Sequence, residues 1–355
     1  MAGKTDKKKQ PGFINTEAPP GKLRVFIADL PQKNIVRAGG LLGMLVHIFD
    51  RRHRRIIRRN LKFIYPEWSR QYIRQFSRRV YKNVGITFLE ICQMTCFSRE
   101  KILQKVRIRG GKHLISAMKN NKGAIIISAH IGNWEMANLF FSAYLNSPLV
   151  VVARQVSPKI LNNWIIRLRS SFGNIILDKK KALPKMVRAL RQGKILGLLI
   201  DQGTRFSEGQ EVNFFGRKVT ATPAAALLAR RYQCPVLPAF CIREPDNTLT
   251  MWVEPPLKLK KTDNLPADLK DNTQIMISAI EKTVKTYPDQ WFWFHKRWKR
   301  HYPQLYPEDL ARKQRRKEKK MRKLNRRVSG NSFAARPDDN FVGKTESPKD
   351  NINDI

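Results

Sequence analysis

In the stretch Ala124 to Asn138, AIIISAHIGNWEMAN, an imidazole stands just past a run of β-forming residues, and a carboxylate follows five positions later. In that place His130 can take a proton from an attacking hydroxyl. Glu135 can fix the tautomer of the ring and balance the imidazolium that results. Side chains five apart on one continuous helix point about 140° away from each other. The pair therefore works only with His130 in a turn and Glu135 on the helix behind it, and Gly132 and Asn133 are turn-forming residues. The same residues also fit a plainer reading, a loop histidine followed by a first-turn glutamate that favours the helix dipole. Spacing alone does not choose between them.

Further polar residues end other apolar runs. VVAR ends in Arg154, RLRSSFG carries Arg167 and Arg169, and ILGLLI runs into Asp201. The connection after Asp201, DQGTRFSEGQEVNFFGRKVTATP, is longer than ordinary loops and so suggests function. Gathered around one crevice, these side chains would give a base, arginines for a phosphate or an oxyanion, and a second carboxylate. In a chain this basic, any single arginine is more often a solvated surface residue. Asp201 differs, because a carboxylate directly after an apolar strand starts near the core. A pair between Asp201 and Arg167 would account for both.

The elements that must position these groups follow from periodicity. Strands are expected at 106–109, 124–128, 149–153, 175–176, 195–200, 236–242 and 249–253. Helices are expected at 113–120, 133–144, 158–172, 183–192, 222–232 and 271–287. This alternation predicts an α/β domain over 104–306, a mixed sheet flanked by helices with its site beyond the strand ends. Residues 34–103 read as a helical, basic, membrane-associating region. Residues 1–33 read as a disordered lead, and 307–355 as a basic, then polar, disordered tail.

The apolar patch Ala38–Phe49 has 12 residues, short of the ~20 a spanning helix needs. It adjoins RRHRRIIRR, the composition of a helix lying in an anionic membrane surface. The alternative is a core helix with a solvated basic neighbour. With 69 Lys and Arg against 28 Asp and Glu, a formal charge of +41, the 355-residue chain calls for an anionic partner: nucleic acid, an anionic membrane or an acidic protein. Between Arg312 and Arg327, 11 of 16 residues are Lys or Arg. The opening residues lack the apolar core of a signal peptide. Four scattered cysteines without a Cys-x-x-Cys pair fit reduced thiols better than a disulfide frame or a zinc site. The stretch YPDQWFWFHKRW can pack a core, stack on bases or sit at a membrane interface.

Taken in order, HIGNWE, VVAR with RLRSSFG, DQG with NFFGRKVTATP and ALLARR, CPVLPAF and YPDQWFWFHKRW resemble the lysophospholipid acyltransferase family of Gram-negative bacteria. The branch is that of the lipid A biosynthesis lauroyl/myristoyl acyltransferases, and the resemblance spans roughly residues 36–300. It implies a glycerolipid-acyltransferase-like fold. It also implies transfer of a fatty acyl group from acyl carrier protein to a hydroxyl of a membrane lipid, at the cytoplasmic face of the inner membrane. On this resemblance His130 and Glu135 are the catalytic pair, and Arg167 and Asp201 shape the site. Arg154, Arg169 and Thr222 are further substrate-binding candidates, with Phe214, Phe215 and Gly216 as a pocket wall. Neither a metal nor a cofactor is implied beyond the acyl-carrier donor. The patch Ala38–Phe49 is shorter than the family's usual N-terminal helix, and the basic tail lies outside the resemblance. Two rivals stand beside this reading: acylation of a lysophospholipid or another amphiphile, and a basic nucleic-acid-binding protein. No nucleic acid is expected on the enzyme reading.

Overall fold

Helices lead the described part of the chain: α1 (Gln32–Phe49), α2 (Arg51–Ile64) and α3 (Arg70–Met94). The computed structural model describes residues 29–119, 122–155, 157–179 and 182–331. The expected disordered lead lies outside them up to residue 28. Glycine sets how α1 meets α3. A Cβ on Gly43 would stand 2.1 Å from the Tyr81 carbonyl oxygen, and one on Gly85 2.2 Å from that of Gly39. The apolar patch Ala38–Phe49 is therefore divided. Its glycine edge is buried against α3, while Leu41, Leu45, Ile48 and Phe49 are exposed, Phe49 by 80%. Asp50 starts α2 by accepting the His53 N–H at 3.0 Å. Among the described residues no helix is long and apolar enough to cross a membrane.

The α/β part then alternates: α4 (Arg99–Lys105), β1 (Val106–Arg109), α5 (Gly111–Met118), β2 (Ala124–Ser128), α6 (Trp134–Tyr144), β3 (Val150–Ala153), α7 (Lys159–Arg169) and β4 (Ile175–Asp178). It continues with α8 (Ala182–Arg191), β5 (Ile195–Leu199), β6 (Gln210–Phe214), β7 (Arg217–Ala221), α9 (Ala224–Tyr232), β8 (Val236–Arg243), β9 (Leu249–Val253) and α10 (Leu265–Thr286). The expected mixed sheet forms, with seven strands in the order β1-β9-β8-β2-β5-β3-β4. Only β8 and β9 run antiparallel within it. Its inner strands β2 and β8 are buried along their whole length, which is why they read as nearly unbroken apolar runs.

Two registers shape the site. β5 lies beside β2 over its full length, from Ala124↔Ile195 to Ser128↔Leu199. β3 pairs with β5 only at Val150↔Leu196 and Val151↔Gly197. Beyond Gly197 the β3–β5 ladder stops.

The long connection after Asp201 is not a loop. Most of it is a two-stranded hairpin of β6 and β7, closed by Phe215 and Gly216, both with positive φ (55° and 67°). α10 begins at Leu265 rather than Asp271, because Asn264 caps it and accepts the Ala267 N–H. From Tyr306 onward the described residues form a separate unit. In it the basic run, expected to be an unstructured tail, is helical over Pro307–Asn331 (α11). Residues 332–355 lie outside the described part.

Candidate active site

Because β2 and β5 are parallel neighbours in matched register, the first residues past their ends meet. His130 donates its backbone N–H to Asp201 Oδ2 at 3.0 Å, and its Nδ1 lies 2.8 Å from Asp201 Oδ1. Trp291 Nε1–H donates to Oδ2 at 2.9 Å. Asp201 is fully buried. Burial works to raise its carboxyl, but the facing His130 imidazole and its hydrogen bond, His295 and the Trp291 N–H hold it far below the usual carboxylate range. Burial likewise disfavours a charged His130. The Asp201 carboxylate outweighs it and raises the ring above its usual value. The ionised carboxylate accepts the hydrogen bond of Nδ1–H, so in the neutral ring Nε2 carries the lone pair.

That Nε2 faces Gln202 Nε2 at 3.3 Å, and the same amide reaches His295 Nε2 at 3.1 Å. His295 is lowered to about 4, by burial first, with Asp201 opposing and His130 and Arg297 adding to the fall. His130, Asp201 and His295 thus bring possible metal-ligand atoms within 4.8 Å of one another. The sequence reading expected no such cluster. These hydrogen bonds account for the grouping.

The turn that carries His130 is clamped. Phe292 N–H donates to the His130 carbonyl at 2.8 Å, Gly132 N–H to Gln290 at 3.1 Å, and Asn133 N–H to Cys241 at 2.9 Å. Gly132 has φ 57°, and a Cβ there would stand 2.0 Å from the Cys241 carbonyl oxygen, so the position requires glycine. Asn133 caps α6, accepting the Met136 N–H at 2.9 Å. Its amide donates to Glu90 at 3.0 Å. Glu90 in turn pairs with buried Arg243, which ties α3 to β8 behind the turn.

Glu135 sits in the first turn of α6, with its carboxylate on Arg169: Nε donates at 2.8 Å, and Nη2 bonds the other oxygen. Trp134 Nε1–H donates to it as well, at 3.1 Å. The side chain expected to hold the His130 ring is therefore held by an arginine. Asp201 holds the ring instead.

A cavity of about 670 Å³ opens at these groups, lined by His130, Trp134, Glu135, Arg154, Arg169 and Thr222 among others. It occupies the split between β3 and β5. Val151↔Gly197 and Ile126↔Gly197 are register partners, so these three residues share the sheet face that α6 covers, and all line the cavity. Arg154 is exposed at the end of β3.

Three further sequence-derived expectations are corrected. Arg167 is exposed on α7 and does not line the cavity; the neighbouring Arg169 does, because residues two apart on a helix do not share a face. The Asp201–Arg167 pair is accordingly replaced by Asp201–His130. Phe214 is fully buried against Trp291 and Trp298. Phe215 and Gly216 form the hairpin turn, so none of the three walls the cavity. Gln202 and His295 were missed as site residues. Gln202 follows Asp201 directly, and that adjacency was the available signal, whereas nothing local distinguished His295 within an aromatic run. Trp291, Trp293 and Trp298 are all fully buried, so that run packs the core.

The profile of the bacterial lipid A biosynthesis acyltransferases matches residues 23–300. The chain is 25% identical over 279 residues to a lipid A biosynthesis lauroyltransferase of Escherichia coli K12, covering 77% of this chain and 88% of the relative. It is 20% identical over 273 residues to a palmitoleoyltransferase of the same organism, covering 76% and 87%. It is also 26% identical over 190 residues to a phosphatidylinositol mannoside acyltransferase of Mycolicibacterium smegmatis, covering 52% and 60%. By a match that runs over most of its length, the chain belongs to the bacterial lipid A biosynthesis acyltransferase family, enzymes that transfer an acyl group to a lipid acceptor.

Proposed function

We propose that the protein moves a fatty acyl group from an acyl carrier protein thioester to a hydroxyl of a lipid A precursor at the cytoplasmic face of the inner membrane. The observation that carries this reading is the His130–Asp201 pair at the mouth of the cavity. His130 Nε2 takes the proton of the acceptor hydroxyl, whose oxygen attacks the thioester carbonyl. Asp201 keeps the ring oriented and balances the imidazolium. The tetrahedral oxyanion then collapses, the carbon–sulfur bond breaks, and His130 returns its proton to the departing thiolate. Of the cations lining the cavity, Arg169 is half-buried and anchored by Glu135, and it serves the developing oxyanion. Glu135 thus acts on the charge of the site rather than on the tautomer of His130.

The exposed apolar edge of α1 beside the arginines of α2 supports peripheral docking on an anionic bilayer. Burial of the three tryptophans takes away the stacking platform that a nucleic-acid reading needs. The likeness to a phosphatidylinositol mannoside acyltransferase favours one second reading, a glycolipid acceptor other than lipid A.

His130→Ala should abolish transfer from acyl carrier protein to a lipid A precursor while the protein still folds and binds vesicles. Near-normal transfer by that variant would remove the mechanism. Mass spectrometry of lipid A from cells with and without the gene distinguishes the two acceptors.

A further inference from the structure

Gly197 is a glycine without a backbone reason. It sits in mid-strand in β5, where glycine weakens a strand and usually marks a bulge or the close approach of another group. Its φ is not in the left-handed region, and no backbone crowds it. A Cβ there would meet only Val151 Cγ2 at 3.5 Å and Leu149 Cδ2 at 3.8 Å, both ordinary contacts. Gly132 is the contrast, its Cβ blocked at 2.0 Å. The remaining space around Gly197 is the cavity itself, which it lines together with Ile126, Leu149, Val151, Ala137 and Phe141. This lobe is apolar and lies under α6. Gly197 is level with Ile126, four residues below His130, so it lies about 13 Å into the lobe from the reacting end at the usual strand rise.

We infer that Gly197 sets the acyl-chain length the enzyme accepts: its missing side chain leaves room for the terminal methylenes of the donor's acyl group. The inference rests on the proposed acyl transfer. With the carbonyl at His130 and Arg169, the tail leads away from the charged groups along the α6 face, and Gly197 is where a side chain would first obstruct it. Each methylene kept out of the lobe costs roughly fourfold in binding. An isobutyl group in that space excludes about three methylenes, a loss on the order of 10² for the longest chain.

The test compares native protein, Gly197→Ala and Gly197→Leu on acyl carrier protein thioesters from octanoyl to palmitoyl. Expected for Gly197→Leu is a loss on the order of 10² in kcat/KM on the longest chain the native enzyme uses, with the shortest chain within about threefold. Gly197→Ala, whose added carbon makes only ordinary contacts, should fall between. An unchanged profile, an equal loss at every length in both variants, or a shift that follows the chains of the acceptor instead would overturn the inference. Thermal stabilisation by octanoate through palmitate, measured alongside, separates this from the reaction itself. If no thioester serves as donor but fatty acids stabilise the native protein and Gly197→Leu moves the best length downward, the lobe stands and the acyl-transfer reading falls. If fatty acids stabilise the three proteins alike, or none of them, the lobe falls.

Discussion

Glu135 faces Arg169 and not His130, although Glu135 is the residue that follows His130 in the motif. The guanidinium bonds both carboxylate oxygens, and the pair lines the same cavity as His130. Losing Glu135 therefore frees an arginine rather than a histidine. Glu135→Ala should lower kcat by a factor on the order of 10² and move the acid limb of kcat/KM only slightly to lower pH, because Glu135 adds less than Asp201 to the raising of His130. Measured pH profiles decide this: an acid limb displaced as far as in Asp201→Asn would mean that Glu135 holds His130 directly.

A larger shift is expected of Asp201. The raised His130 ring must lose its proton to act as a base, so the rate of the native enzyme climbs with pH through a value above 6.5. Asp201→Asn removes the carboxylate that raises it. The acid limb should move to lower pH while the plateau falls by a factor on the order of 10² to 10⁴.

Stability follows the same pair. His130, raised when folded, contributes fully below 6.5, and its contribution is lost as pH rises through the raised value. Asp201, depressed when folded, contributes above 3.8 and loses that as pH falls through its depressed value. The Tm gap between native protein and Asp201→Asn should be widest between 3.8 and 6.5 and should narrow in alkaline buffer. Thermal denaturation across buffers checks the sign.

Glu90 and Arg243 are nearly fully buried and join α3 to the sheet behind the His130 turn. Truncating one partner leaves the other charge uncompensated. Glu90→Ala should cost about 3–5 kcal/mol in denaturant unfolding, and a change under about 1 kcal/mol would show that the pair is not a structural tie.

Leu45 and Phe49, on the exposed edge of α1, have little to lose in the fold. Replacing both by Ser should leave unfolding free energy within about 0.5 kcal/mol and cut binding to anionic vesicles tenfold or more. Charge reversal at Arg51 and Arg55 should weaken binding mainly at low salt. Sedimentation with vesicles at two ionic strengths separates the two contributions.

Periodicity and end residues were enough to place most helices and strands, because an inner parallel strand must be apolar on both faces and a helix must turn its apolar stripe inward. The turn after β2 was legible too, since Gly132 and Asn133 have few other uses. Which groups meet was not legible. His130 reaches Asp201 because β5 inserts beside β2 in matched register, a pairing between segments 71 positions apart that no local pattern records. The choice of Arg169 over Arg167 depends on how α7 is rotated against α6, and sequence spacing leaves that rotation open. For the FFG stretch it was the family resemblance that implied a pocket wall. Two positive φ angles made it a hairpin turn instead. Residue types and local order determined which chemistry the chain carries. Strand order, register and helix rotation decided which residue serves the base and which serves the arginine, because those depend on long-range packing between segments that are silent about one another in the sequence.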